Sequence, residues 1–484
     1  MAGLGKRRPS RGRSGVSGLQ GRRHSTAKAD ATTSTEADGH LIIERLAHDG
    51  RGLAHGADGK TQFVEGALPG ERVEAAVHLT RKRYDEAHVR RVIEASTNRA
   101  TPPCVHYAQC GGCDLQHLAI EAQREHKLAV LQELLARQGV ELTQAPALIA
   151  TDDQHYRRRA RLGVKVDAEG RVHLGFRARR SQRLVDIGDC TILVSSLNAL
   201  LGPLHDQVAT LEAPRQLGHL EMLESDEGVV IVLRQLKEHA ADTRRWQAFA
   251  ERHGLHLVRW LGRDARVLEW LTPALALTCR VPGPEGELTL GFAPGDFLQA
   301  NVAVNRRMIE VAMAWLGDID GRAWLDLFAG VGNFSLSLAA GGASVIAVEG
   351  NPSMVERLAD NARINGLGVS ARQADLTRPG VVEALLAEHE PEALLLDPPR
   401  AGAERVCQAL VEHPVACVLY VACDPATLAR DAARLVHGGY RIVHAAVADM
   451  FVHTSHLESM LLLEHPHPRR QWQSQGARPD GKSP

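Results

Sequence analysis

Leu325-Asp326-Leu327-Phe328-Ala329-Gly330-Val331-Gly332-Asn333-Phe334 is the stretch that decides the architecture of this 484-residue chain. Trp324 to Phe328 reads as a buried strand, Gly330 and Gly332 as a tight turn, and Ser335 to Ala340 as helix. Glycine allows a backbone to approach a ligand closely. A third glycine at dinucleotide spacing is missing, so a dinucleotide site is poorly supported. Moving outward, Ala343 to Val348 reads as a second strand closed by Glu349, an acid suited to accept hydrogen bonds from ribose hydroxyls. Asp375 ends a further segment and suits an adenine amino group. Ala393 to Leu396 and Val418 to Val421 read as two more strands. Strands and helices alternate from about residue 300 onward, as in a parallel α/β sheet. A Gly-x-Gly loop alone also marks any tight strand-to-helix turn. Strand, loop and acidic strand end together favour a cofactor site.

Two proline turns follow apolar strands in the same region. They are Asp397-Pro398-Pro399-Arg400 and Tyr420-Val421-Ala422-Cys423-Asp424-Pro425. Proline rigidifies a turn, and open α/β sheets place their sites at the carboxyl ends of strands. Ala426 to Leu435 reads as helix, so Cys423 sits at a helix N-terminus, where oriented N–H groups favour a thiolate. A lone cysteine at a strand end more often packs, and Cys279, Cys407 and Cys417 keep that reading. His453-Thr454-Ser455-His456-Leu457-Glu458 lies near the final strand. Glu458 is a candidate base; either histidine is the alternative base, or polar structure.

Composition bounds what such a site serves. The chain is 44% hydrophobic and 24% charged, and long enough for two or three domains with cores of their own. No run of about 18 apolar residues occurs, so no membrane span is expected. The stretch from Lys6 to Lys28 is basic, without acids or an apolar h-region. Residues 1–39 therefore read as a disordered basic tail rather than a secretory signal or transit peptide. The net charge of −1 counts mildly against a nucleic-acid binder. Local patches matter more than the sum. They are Arg81-Lys82-Arg83, Arg157-Arg158-Arg159 with Arg161, and Arg177, Arg179 and Arg180 with Arg183. Tyr156 and Phe176 beside them are candidates for base stacking; the plain alternative is a solvated charged face.

Short strand-like runs at Leu41-Ile42-Ile43 and Val73 to Val77, with glycine turns between them, suggest a small β-barrel over residues 40–98. Residues 99–295 read as a mixed middle unit. Its helix runs from about Ile120 to Gln138, with Leu128, Leu131 and Leu135 on one face and Gly139 as its stop. This helix, placed at about 118–138, is expected to pack on the α/β unit of residues 296–465. Residues 466–484 read as a polar tail. Eight cysteines without a secretory signal favour metal binding or catalysis over disulfides. Cys104-x5-Cys110-x2-Cys113 is a tight set.

At these residues the chain resembles the RNA uridine-5-methyltransferase family, and within it the bacterial 23S ribosomal RNA branch. The matching stretches are Asp326 to Phe334, Asp397 to Arg400, Cys423 to Asp431, Asp449 to Phe451, His453-Thr454 and His456 to Ser459. Phe297-Leu298-Gln299-Ala300-Asn301 resembles the entry to the family's catalytic domain. Departures are Ala422 where Ser is frequent, Val452 in place of a Pro, and Ser455 in place of a Gly. The resemblance implies an α/β class I S-adenosylmethionine-dependent methyltransferase domain with a Rossmann-like sheet. It also implies an N-terminal TRAM barrel, most visible at Phe63-Val64 and Leu68-Pro69-Gly70-Glu71, and a mixed α+β central domain carrying a cysteine cluster.

The same resemblance implies methyl transfer from S-adenosylmethionine to carbon 5 of a uridine, with Cys423 as nucleophile and Glu458 as base. Gln299, Phe328, Asn333, Glu349, Asp375 and Asp397 would contact the cofactor, Asp397 alternatively the uracil. Cys190 would join Cys104, Cys110 and Cys113 as fourth ligand. Four thiolates hold either an iron–sulfur cluster or zinc, and spacing leaves both open; the resemblance implies [4Fe–4S], with zinc as the alternative. The spacing is not the Cys-x3-Cys-x2-Cys of radical enzymes, so a structural or RNA-orienting role is expected. The expected partner is 23S ribosomal RNA in the cytoplasm, with no membrane, and the chain is expected to act as a monomer. Two alternatives remain: the same chemistry on another ribosomal or transfer RNA uridine, and a non-catalytic RNA-binding or ribosome-assembly role.

Overall fold

The computed structural model describes residues 40–262 and 267–466. The tails expected over 1–39 and beyond 466 lie outside the described residues. An eight-stranded sheet organises the C-terminal half. Its strands lie in the order Val369–Gln373, Ser344–Glu349, Ala323–Leu327, Ala393–Leu396, Cys417–Ala422, Glu458–Glu464, Arg441–Ala448 and Ala147–Ile149. The first five are parallel. Glu458–Glu464 runs antiparallel to both of its neighbours. Ala393–Leu396 and Cys417–Ala422 are buried along their whole length, as strands covered on both faces must be.

Alternation within these strands divides the core in two. Trp324, Leu395, Leu419 and Val421 face the helices Val302–Leu316, Ser335–Ala340 and Pro352–Ile364. Leu325, Leu327, Leu394, Leu396 and Val418 face Val381–His389, Glu404–Glu412 and Pro425–His437. The helix Ile120–Arg137 joins this second layer through Val130, Leu131 and Leu135. Each such leucine contributes about 1.5–3 kcal/mol on leaving water. Lys127 and Asp449, both almost wholly buried, form an ion pair at 2.7 Å that pins the same helix. The middle segment is therefore not one block over 99–295. Its helix, its strand Ala147–Ile149 and the hairpin Leu277–Gly283/Gly286–Phe292 all share the core of the C-terminal sheet.

The rest of the middle segment forms a seven-stranded sheet, from Leu184–Asp186 at one edge to Val267–Trp270 at the other. Leu162, Leu204, Met222, Trp246 and Phe249 fill its core, together with Cys110 and Cys190. Residues 41–94 form a six-stranded sheet whose two outermost members, Leu41–Ile42 and Arg45–Leu46, are successive pieces of one chain stretch. The sheet thus curls on itself as a small barrel around Ile43, Val64 and Val73.

Candidate active site

The carboxyl edge of the parallel sheet gathers the chemistry. Leu327 ends its strand and Phe328 turns the chain at φ 67°, a left-handed value uncommon for a bulky residue. Gly330 and Gly332 continue the turn at φ 59° and 101°. Glu349, at the end of the next strand, accepts from the Gly330 amide at 3.1 Å and the Asn351 amide at 2.9 Å. Asn333 and Asn305 exchange two amide hydrogen bonds at 2.8 and 3.0 Å, tying the loop to the helix Val302–Leu316. Asp375 is exposed past the third strand, where it accepts from Thr377 and lies below the usual carboxyl range for that reason. Backbone cradle, flanking carboxylate and strained turn fit a nucleoside-bearing cofactor.

Asp326 was quoted within the loop motif without a role. It is 1% exposed and its Oδ2 accepts from the Ser335 hydroxyl. Burial, with the charges of Asp397 and Glu349 beyond it, raises its carboxyl to about 7. An acid between two leucines of a buried strand is the signal that could have singled it out.

The nucleophile and base candidates come together through strand register. Ala422 pairs with Ser459 at the end of an antiparallel pair, which brings the next residues, Cys423 and Glu458, close enough for the Glu458 charge to act on the thiol. Asp397 follows Leu396, which pairs with Tyr420 one strand away. Glu458 is buried, and burial plus the Asp397 charge hold its carboxyl well above the usual range, against Arg400. Burial raises Asp397 as well. The helix-terminus expectation for Cys423 fails. Asp424 caps the helix Pro425–His437, taking the Ala426 and Thr427 amides at 3.0 Å each, so those donors are not offered to the thiol. Burial, then the charges of Glu458 and Asp397, push the thiol up to about 11, with Arg400 opposing them. Cys423 rests as a neutral thiol.

The two histidines differ in place. His453 is buried and His456 is exposed. Burial lowers His453 from the usual imidazole range. Cys279, Cys407 and Cys417 are buried in the cores. Gln299 is 8% exposed and lines a cavity of about 420 Å³ together with Arg157, Arg159, Arg161, Phe297 and Phe451. Phe297 is 65% exposed. The basic run beside it is less available than its sequence suggests. Arg158 donates to the Glu224 carbonyl at 2.7 Å and Arg159 pairs with Glu221, which leaves Arg161 as the exposed member. Tyr156 is buried and donates to the Val452 carbonyl at 2.9 Å, so it is no stacking platform; Phe176 is half-buried.

Cys104, Cys110, Cys113 and Cys190 line one cavity of about 230 Å³. All four are free thiols. Burial raises Cys110, pushes Cys113 up to about 12 and Cys190 up to about 11. Among the described residues, no three Cys, His, Asp or Glu side chains are grouped so as to hold a metal ion. No helix among the described residues is long and apolar enough to cross a membrane.

Comparison with known proteins agrees with this geometry. The family model described as tRNA (Uracil-5-)-methyltransferase matches residues 119–466, and the TRAM domain model matches residues 40–89. The 23S rRNA (uracil(1939)-C(5))-methyltransferase RlmD of Halomonas elongata is 60% identical, over 99% of this chain and all of its own. The protein of the same description from Chromohalobacter salexigens is 53% identical over 97% of each chain. Among solved structures, the Pyrococcus abyssi tRNA (uracil-54, C5)-methyltransferase in complex with S-adenosyl-L-homocysteine shares the fold. Its TM-score is 0.67 at 22% identity, and the match covers 88% of this chain and all of that one. The C-terminal sheet is a class I methyltransferase fold behind a TRAM barrel, and the chain belongs to the uracil-5-methyltransferase family.

Proposed function

We propose that the protein methylates carbon 5 of one uridine in 23S ribosomal RNA, the position numbered 1939 in its relatives' names, using S-adenosylmethionine. The observation that carries this reading is the nearness of Cys423 and Glu458 at the carboxyl edge, beside the glycine loop. Phe328, Asn333, Glu349 and Asp375 hold the methyl donor in this reading, with Gln299 and Asp397 between donor and uracil. The bound donor supplies an electrophilic methyl on a sulfonium.

Uracil C5 is a poor nucleophile, and a thiol at C6 cures that. Cys423 first loses its proton to a neighbouring carboxylate, Asp397 being the one whose charge bears on both Cys423 and Glu458. Its sulfur then bonds to C6 as the C5=C6 double bond opens, and C5 becomes enolate-like and able to take the methyl. Glu458 removes the proton left on C5. The electron pair from that C–H bond restores C5=C6 and expels Cys423 as thiolate. The target base leaves its stack to reach this edge, and the exposed Phe297 ring offers a face for it or its neighbour. The exposed arginines 161, 177, 180 and 183, with Arg81-Lys82-Arg83 on the barrel, suit the RNA backbone. The work is done where ribosomes assemble, in the cytoplasm.

The four cysteines, in this reading, hold a [4Fe–4S] cluster. Zinc needs four sulfurs about 2.3 Å from a single point. Four thiols lining one cavity of about 230 Å³ leave room for a larger inorganic core. Thiols held up by burial also need a cation to become ligands.

The test is tritium release from 23S RNA labelled at uracil C5, with S-adenosylmethionine and anaerobically purified protein. Release by the native protein, none by Cys423→Ala, and a stalled covalent RNA adduct with Glu458→Gln are expected. Release from transfer RNA alone would overturn the substrate. Silence on every RNA would overturn the activity.

A further inference from the structure

Residues 449–457 lead directly into Glu458, and they are fixed largely from outside the catalytic sheet. Asp449 is held by Lys127 at 2.7 Å and Arg124 at 3.2 Å. The Phe451 carbonyl accepts from Lys127 at 3.0 Å and the Val452 carbonyl from Tyr156 at 2.9 Å. Val452 is fully buried in the same core as Cys110 and Cys190. His453 sits at φ 65°, a conformation that persists only where the surroundings over-determine it.

The segment after the third cysteine provides that constraint. The amides of Asp114 and Leu115 both donate to the His453 carbonyl at 3.0 Å. The Asp114 carboxylate accepts from the Ser455 amide at 2.7 Å and is 2.8 Å from the Ser455 hydroxyl. Asp114 is bonded directly to Cys113, whose carbonyl Arg179 grips at 2.7 Å. Arg179 also reaches Glu65 of the barrel at 3.1 Å.

We propose that Asp114 is a positioning residue: it carries the order of the cysteine-lined site into residues 449–457 and so holds Glu458 against Cys423. The inference rests on Glu458 being the base. It gives the cysteines a task in the methylation, because fixing four sulfurs fixes residue 113 and, with it, the carboxylate one residue on. Two consecutive amides and a two-oxygen grip on a single residue leave the loop little freedom. Without them the left-handed turn at His453 relaxes and the base loses its place.

The experiment is hydrogen exchange across residues 451–457 in metal-loaded native protein, chelator-stripped protein, Asp114→Ala and Ser455→Ala, with residues 417–422 as the control for an intact sheet. Exchange at 451–457 at least tenfold faster in Asp114→Ala and in stripped protein is expected, with no further gain on stripping Asp114→Ala. Native protection in both Asp114→Ala and Ser455→Ala would overturn the proposal. So would a full additional effect of stripping in Asp114→Ala. If stripping also melts 417–422, the two loaded variants alone decide. The covalent RNA adduct is measured on the same samples. Asp114→Ala should accumulate it several-fold over native while its affinity for S-adenosylhomocysteine is unchanged, and Asp114→Asn should restore part of the turnover. A loop that loosens without adduct refutes the catalytic half of the proposal if Glu458→Gln accumulates adduct. If Glu458→Gln accumulates none, the reading of Glu458 fails instead, and the exchange result still decides the coupling.

Discussion

Replacing Asp326 with Asn should stabilise the catalytic sheet, and more so as the pH rises. The carboxyl lies between Leu325 and Leu327, 1% exposed, and burial lifts it from 3.8 to about 7. A raised carboxyl binds its proton more tightly when folded, so its favourable contribution is complete below pH 3.8 and is lost as the pH climbs to 7. By linkage, the native chain has given up about 2 kcal/mol at pH 5 and about 4 kcal/mol at pH 8. Asn keeps an oxygen for the Ser335 hydroxyl and carries no charge. Native-state hydrogen exchange of the Leu325 and Leu327 amides, corrected for intrinsic rates, measures this locally. The advantage of Asp326→Asn should grow by about 2–3 kcal/mol between pH 5 and pH 8, which is on the order of a hundredfold in protection. An advantage that is constant or shrinks with pH would refute the argument, because it would mean Asp326 ionises in the folded protein as easily as in water.

Affinity for S-adenosylmethionine should tighten from pH 6 to pH 8, because a sulfonium favours an ionised Asp397, whose carboxyl burial raises to about 7. Calorimetric Kd values that do not change with pH would count against Asp397 meeting the cation. Lys127→Met should cost about 3 kcal/mol, the low end for breaking a buried ion pair, because Arg124 still pairs with buried Asp449. Adding Asp449→Leu should recover most of it, whereas a single variant melting like the native protein would show the pair to be idle. Anaerobically purified protein should be brown and hold roughly four irons per chain, with Cys190→Ser losing the colour. One equivalent of zinc in colourless protein would replace the cluster by a single ion.

What the sequence discloses tracks the range of the physics involved. Ala393 to Leu396 reads as strand because four successive apolar residues need cover on both faces, a local property. The helix at Ile120–Arg137 was equally legible, since Leu131 and Leu135 share a face. That this face meets the α/β unit was expected, and the helix does join its core; that its neighbour there is Pro425–His437 was not legible. Cys423 and Glu458 stand out by motif, but their nearness depends on the pairing of Ala422 with Ser459, which no spacing announces. The arginine run at 157–161 misleads for a related reason. Glu221, the partner that absorbs Arg159, sits on the neighbouring strand. Tyr156 is hidden by Val452, distant in sequence.

The charge state of the site explains why it tolerates so unfavourable an arrangement. Asp397 and Glu458 are carboxyl groups raised by burial whose charges reach Cys423, a thiol pushed up to about 11, and Asp326, raised as well, feels the Asp397 charge. Left alone, such a cluster takes up protons and goes neutral, and stability is highest when it does. A cation arriving at the same strand ends reverses the preference, since each carboxylate is then balanced where it could not be before. In the proposed mechanism, stability withheld from the resting fold returns as affinity for the donor, and an ionised Asp397 is then the acceptor the thiol proton needs. Arg400, the cation on Cys423 and Glu458 within the chain, is too exposed to do this alone. In that mechanism the sheet carries acids that weaken it when ionised at rest and serve as proton acceptors once the positive charge is in place.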